Sequence, residues 1–117
     1  MDKELMKGSI DILLLSQISQ KDMYGFEIIK NLKAKSNDLY NMSEGTLYPA
    51  LQRLEQKKLL KSYWGDSEGG GRRKYYNITE QGKKQLVKKM EEWDQVNNLI
   101  RMCREVPIWT NSKTISD

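Results

Sequence analysis

At 117 residues, with 31% charged and 38% apolar residues and a net charge of +4, the chain is sized for one domain, or one domain plus an extension. That balance excludes a disordered or membrane protein and favours a polyanionic partner. There is no histidine and Cys103 is the only cysteine, so an intramolecular disulfide, a His/Cys zinc site and a histidine proton shuttle are all excluded. No catalytic residue, metal or cofactor is expected.

The longest apolar run, Ile12 to Leu15, is far too short to span a bilayer, and Asp11 interrupts what would be the apolar core of a signal peptide. A cytoplasmic location is expected. Residues 4–19 read as one helix, with Met6, Ile10, Leu13 and Leu14 on one side and Ile12, Leu15 and Ile18 filling most of the rest. A helix apolar nearly all round needs cover on more than one face, which in a small domain points to a second chain.

Tyr24-Gly25 opens a second helix to about Ala34, with Phe26, Ile28, Ile29 and Leu32 as its apolar positions. After the polar break Ser36-Asn37-Asp38, Ser43 is a good N-cap for a third helix over 43–57, Glu44 suits its positive end, and Pro49 falls awkwardly inside it. Leu47, Leu51 and Leu54 should face the core, leaving Thr46, Pro49, Ala50, Arg53 and Lys57 on the opposite side.

Past Leu59 the period shortens to two. Leu60, Ser62 and Trp64 alternate with Lys61, Tyr63 and Gly65, and a second strand runs from Lys74 to Ile78. The glycines at 69–71 between them suit a hairpin tip. A phosphate-binding loop would need a helix straight after the lysine, and Tyr75-Tyr76-Asn77-Ile78 favours a strand. Thr79 then caps a last helix to about Glu105, stopped by Pro107. Leu86, Met90, Trp93, Val96, Ile100 and Cys103 form its apolar stripe. Such a helix is about 35 Å long, more than a small domain can cover, so a partner helix is expected.

Three helices and a two-stranded β-hairpin make a mainly α winged helix-turn-helix, here with a long C-terminal dimerisation helix. The expected organisation is a DNA-binding domain over 1–78, the dimerisation helix over 79–106 and a polar tail over 107–117. In this architecture the third helix enters the major groove, with the hairpin, or wing, along the backbone beside it. The candidate contacts to double-stranded DNA are Ser43, Thr46, Tyr48, Arg53 and Lys57 on the helix and Arg72 and Lys74 on the wing. Alternation along the strand puts Arg72 and Lys74 on one side, without saying which side. Arg53 and Lys57 also fit plain solvated charges, and Tyr48 fits a brace between helix and wing. Tyr24, Phe26 and Tyr76 read most simply as core, Trp64 as structural, and Cys103 as a small buried apolar residue.

The chain also resembles the PadR family of bacterial transcriptional regulators over about 100 residues. The matching stretches are Tyr-Gly at 24–25, Glu-Gly-Thr-Leu-Tyr-Pro-Ala-Leu at 44–51, Arg-Leu-Glu at 53–55, Gly-Gly-Arg-Arg-Lys-Tyr-Tyr at 70–76 and Thr-Glu-Gln-Gly at 79–82. Its single C-terminal helix is similar to that of the short, multidrug-responsive members. The resemblance implies a homodimeric repressor on a pseudo-palindromic operator, with the last helix of one subunit packed on the first helix of the other. The interface residues are then Leu5, Met6, Ile10 and Leu13 with Met90, Trp93, Val96 and Ile100. It further implies a planar aromatic ligand sandwiched by Trp93 and its symmetry mate, beside Val96 and Asn97. At least some relatives carry a carboxylate where this chain has Asn97, although Asp94 is close in sequence. A dimer seam without ligand is the simpler role for Trp93. The other functional classes are a winged-helix protein–protein adaptor and, less well matched, a small nucleotide-binding enzyme.

Overall fold

The computed structural model describes residues 1–105; the stop at Pro107 and the tail 107–117 lie outside the described residues. Met1–Val87 form one compact unit, and a second begins at Lys88. The elements of the first are α1 (Lys3–Lys7), α2 (Ile10–Gln20), β1 (Met23–Tyr24), α3 (Gly25–Lys35), α4 (Glu44–Gln56), β2 (Leu60–Asp66), β3 (Arg72–Ile78) and the start of α5 (Glu80–Arg104). No described helix is long and apolar enough to cross a membrane.

The expected single helix over 4–19 is two helices. Asp2 caps α1, its carboxylate accepting from Glu4 N at 2.8 Å. At the break, the Ser9 hydroxyl and the Ser9 amide both donate to the Met6 carbonyl, at 2.8 and 2.9 Å. That local pairing competes with the helical ladder, and α2 restarts at Ile10.

The third helix starts and stops where the local signals place it. The Ser43 Oγ accepts from Thr46 N at 3.2 Å, Lys57 closes the other end, and Pro49 stays inside. The proline removes the bond to the Gly45 carbonyl, and both residues are exposed, so water can serve the freed oxygen. Ala50 is not on the exposed side as expected: with Leu47, Leu51 and Leu54 it completes a buried stripe at offsets of three and four.

The hairpin is present, but the sheet has three strands in the order β1-β3-β2, all antiparallel. The third is the two-residue β1, in which Met23 pairs with Tyr76 and Tyr24 with Tyr75. Two residues carry no visible alternation, so the sequence pattern missed it. Between β2 and β3, Gly70 and Gly71 take φ values of 87° and 85°, as a hairpin tip requires. The core gathers α2, α3 and α4 against one face of the sheet, with Leu14, Leu15, Ile28, Leu47, Leu51, Leu54 and Leu60 all but inaccessible.

Candidate nucleic-acid interface

The sheet register sorts the wing residues onto two faces. Leu60 lies opposite Ile78, Ser62 opposite Tyr76, Trp64 opposite Lys74 and Asp66 opposite Arg72. Directly opposed residues share a face. Leu60, Tyr76 and Ile78 are buried, so this is the core face, and Lys74, Trp64 and Arg72 continue it outward along the wing. Two bonds join it to α4: the Ser62 hydroxyl donates to Glu55 at 2.6 Å, and Lys74 Nζ lies 3.7 Å from the same carboxylate. Arg72 and Lys74 therefore stand on the α4 side of the hairpin. Burial holds the Tyr76 hydroxyl above its ordinary range, with the Glu55 charge adding to it.

The other face is a row of tyrosines. Tyr63 stacks on Tyr75 at 5.7 Å, Tyr24 meets Tyr75 edge-on at 5.4 Å, and the Arg73 guanidinium lies 5.7 Å over Tyr24. Asp22 ties this row down by accepting from the Tyr63 hydroxyl and, at 2.8 Å, from Asn77 Nδ2. The wing is thereby bonded to the turn before β1 from both of its strands.

The hydrogen bond to Asp22, aided by desolvation and the Asp22 charge, pushes the Tyr63 phenol up to about 12. An unfolded tyrosine ionises near roughly 10. The folded chain thus keeps a proton that the unfolded chain loses, so this contribution to stability is intact below pH ~10 and is lost as pH rises through the folded value. In an alkaline titration followed by tyrosinate absorbance, Tyr63 should ionise late, and Tyr63→Phe should remove that late step. If the variant instead loses amplitude near pH ~10 and keeps the late step, the Asp22 bond is ruled out.

On α4, Thr46 and Tyr48 are exposed, while the Ser43 hydroxyl is committed to the cap and donates to Thr46 Oγ1 at 3.1 Å. Tyr48 rests on the start of α3. A Cβ on Gly25 would come within 2.5 to 2.8 Å of three Tyr48 ring and hydroxyl atoms, so only glycine there leaves the tyrosine its place. The Arg53 guanidinium is paired with Asp11 of α2, a partner 42 positions away, so in the free chain it is neutralised within the fold. Lys57 is exposed at the α4 C-terminus, where its charge also complements the helix dipole. An open cleft of about 660 Å³ runs between α3, α4 and β3, lined among others by Phe26, Tyr48, Gln52, Arg73 and Lys74.

The readings of Phe26 and Tyr24 as core, of Trp64 as structural and of Cys103 as buried are corrected. Phe26 is 55% exposed, its ring 5.9 Å from Lys30 Nζ, and Tyr24 is only half-buried. Trp64 is 61% exposed, because the wing carries its face beyond the helices that cover Leu60 and Tyr76. Cys103 is exposed in the single chain.

Of the remaining candidates, Leu5 is exposed and Met6, Ile10 and Leu13 are half-buried in the first unit. In the second, Trp93 is half-buried and Met90, Val96, Asn97 and Ile100 are exposed. The wing sequence ranks Arg73 below Arg72 and Lys74 as a contact, and nothing local marks Gln52; both are exposed and line the cleft through the packing of α3, α4 and β3, a long-range arrangement.

This chain matches the model of the Transcriptional regulator PadR-like family over residues 14–88. It is similar to a transcriptional regulator from Clostridium thermocellum, with 38% identity and a TM-score of 0.80 over 88% of this chain and 100% of that one. A PadR family transcription regulator from hypervirulent Clostridium difficile is 41% identical, with a TM-score of 0.71 over 83% of this chain and 99% of that one. An uncharacterised protein of Lysinibacillus sphaericus is 38% identical over 102 residues, 87% of this chain and 94% of its own length. A winged helix with an exposed α4 row and a basic wing on one side is thus joined to a family match covering most of the domain. The chain belongs to the PadR-like family of DNA-binding transcriptional regulators.

Proposed function

We propose that the chain is a homodimeric repressor that places α4 of each subunit in a major groove of a pseudo-palindromic operator. The observation that supports this reading is the wing register, which puts Arg72 and Lys74 on the hairpin face that Glu55 of α4 reaches, while Thr46 and Tyr48 of the same helix are exposed. In this reading the helix supplies contacts to base edges and the wing supplies contacts to phosphates. Half-sites should be ~34–36 Å apart, or a multiple of that. The exposed apolar side chains Met90, Val96 and Ile100 of α5, with Trp93, form the dimer seam together with the partner's Leu5, Met6, Ile10 and Leu13. A planar aromatic molecule held between Trp93 and its symmetry mate, beside Val96 and Asn97, would change the spacing of the two α4 helices and release the operator.

The test is fluorescence anisotropy on labelled DNA from upstream of the gene, with random competitor, across a salt series. A dimer neutralising roughly 6–10 phosphates should give a log–log slope of about −5 to −9. Replacing Arg72 and Lys74 by alanine removes up to four phosphate contacts per dimer, so the slope should become shallower by about 3 to 4. An unchanged slope would take the wing off the backbone. Negligible affinity for any duplex at low salt would instead favour the protein–protein adaptor.

A further inference from the structure

The exposure of Trp64 calls for a cause. On the opposite face of the wing, Tyr63, Tyr75 and Tyr24 pack on one another, so each ring finds cover at home. Trp64 is the most exposed aromatic ring of the described residues that are large and apolar, at 61%, and no other aromatic ring stacks on it among those residues. Its neighbours include two cations. Lys74 is its direct cross-strand partner, and the Arg72 guanidinium lies 5.9 Å over the indole.

The groups on this face are therefore a flat apolar ring with Lys74 across from it and Arg72 diagonal to it, Asp66 lying opposite Arg72. An apolar protein surface matches such a face poorly, because docking on the indole would desolvate the Arg72 guanidinium beside it and the Lys74–Glu55 ion pair. A nucleic-acid strand matches it well, since its backbone alternates anionic phosphates with largely apolar sugars. The row is also continuous with α4 through Glu55, which Ser62 reaches at 2.6 Å and Lys74 at 3.7 Å.

We propose that Trp64 is a DNA-contact residue, its indole lying against a deoxyribose of the operator backbone between phosphates held by Arg72 and Lys74. The assignment rests on the DNA-binding reading above and adds a specific contact to it. The contact is apolar and indifferent to base sequence, so it strengthens binding without releasing counterions.

That chemistry has a signature which a phosphate contact lacks. Trp64→Ala should weaken binding by roughly tenfold to operator and random duplex alike, with the log–log salt slope unchanged, whereas Arg72→Ala should make the slope shallower. A second measurement does not depend on the alanine variant folding. In full-length protein labelled with fluorotryptophan, the fluorine resonance missing from the Trp64→Phe spectrum identifies Trp64. Adding random-sequence duplex at low salt should move that resonance and suppress its solvent isotope shift. If anisotropy reports a bound duplex while the resonance keeps its position and its isotope shift, the contact is overturned and the DNA-binding reading stands. Equal affinity of a folded Trp64→Ala variant and the parent would overturn it in the same way. If no duplex binds at low salt, the DNA-binding reading fails first and the contact fails with it.

Discussion

Gly82→Ala should destabilise the chain by about 3 kcal/mol, at the upper end of what one added methyl group costs in a packed interior. A Cβ at this position would overlap the Leu59 carbonyl oxygen and lie 2.8 Å from Ile78 Cγ1. The first of these is backbone, and it is held: the Leu59 carbonyl accepts from Thr79 N at 3.1 Å and from the Thr79 hydroxyl at 3.1 Å. That hydroxyl also caps α5 by accepting from Gly82 N at 2.9 Å. The obstacle therefore cannot rotate aside as a side chain would. Alanine favours a helix over glycine by only about 1 kcal/mol, so the clash should win. Gly45→Ala is the control, since a Cβ there meets nothing nearer than the Ser43 hydroxyl oxygen at 3.9 Å. It should raise stability by roughly 0.5–1 kcal/mol. Urea midpoints of the two variants decide the matter, and a Gly82→Ala midpoint at or above that of the parent would refute this account of the α5 start.

The second large effect concerns α5 beyond Lys88. Met90 and Ile100 are 49% and 54% exposed in the single chain, so replacing both with aspartate leaves the new carboxylates in reach of water there. Helical content should survive. The proposed dimer should not, because two carboxylates per chain would be desolvated in its apolar seam. Sedimentation should then report a monomer, and operator affinity should fall by roughly 10²–10⁴ as the second half-site loses its tethered partner. A stable dimer in the double variant would place the seam elsewhere. A monomer that keeps full affinity would instead remove the need for a palindromic operator.

Much of this protein is written in stretches of three to seven residues. Ser43 and Thr79 cap the helices that follow them, Gly70 and Gly71 turn the hairpin, and Leu47, Leu51 and Leu54 mark the buried side of α4. Each of these signals acts between neighbours in the chain, so it is legible without the fold. The winged-helix architecture follows from their order, and the family from the motif stretches that resemble it.

What the tertiary structure decided is where the side chains of those elements point and what they meet. Alternation placed Arg72 and Lys74 together, but only the packing of Leu60, Tyr76 and Ile78 under α4 chose their side. Arg53 pairs with Asp11 from across the domain, and Tyr48 needs Gly25 to be bare, 23 positions earlier. The strand of Met23 and Tyr24 exists because β3 offers it an edge. Trp64 alternates like a core residue, yet stands outside because the hairpin extends past the helices that would have covered it. Local pattern fixes the face a residue shares with its neighbours, whereas burial depends on what the rest of the chain lays against that face.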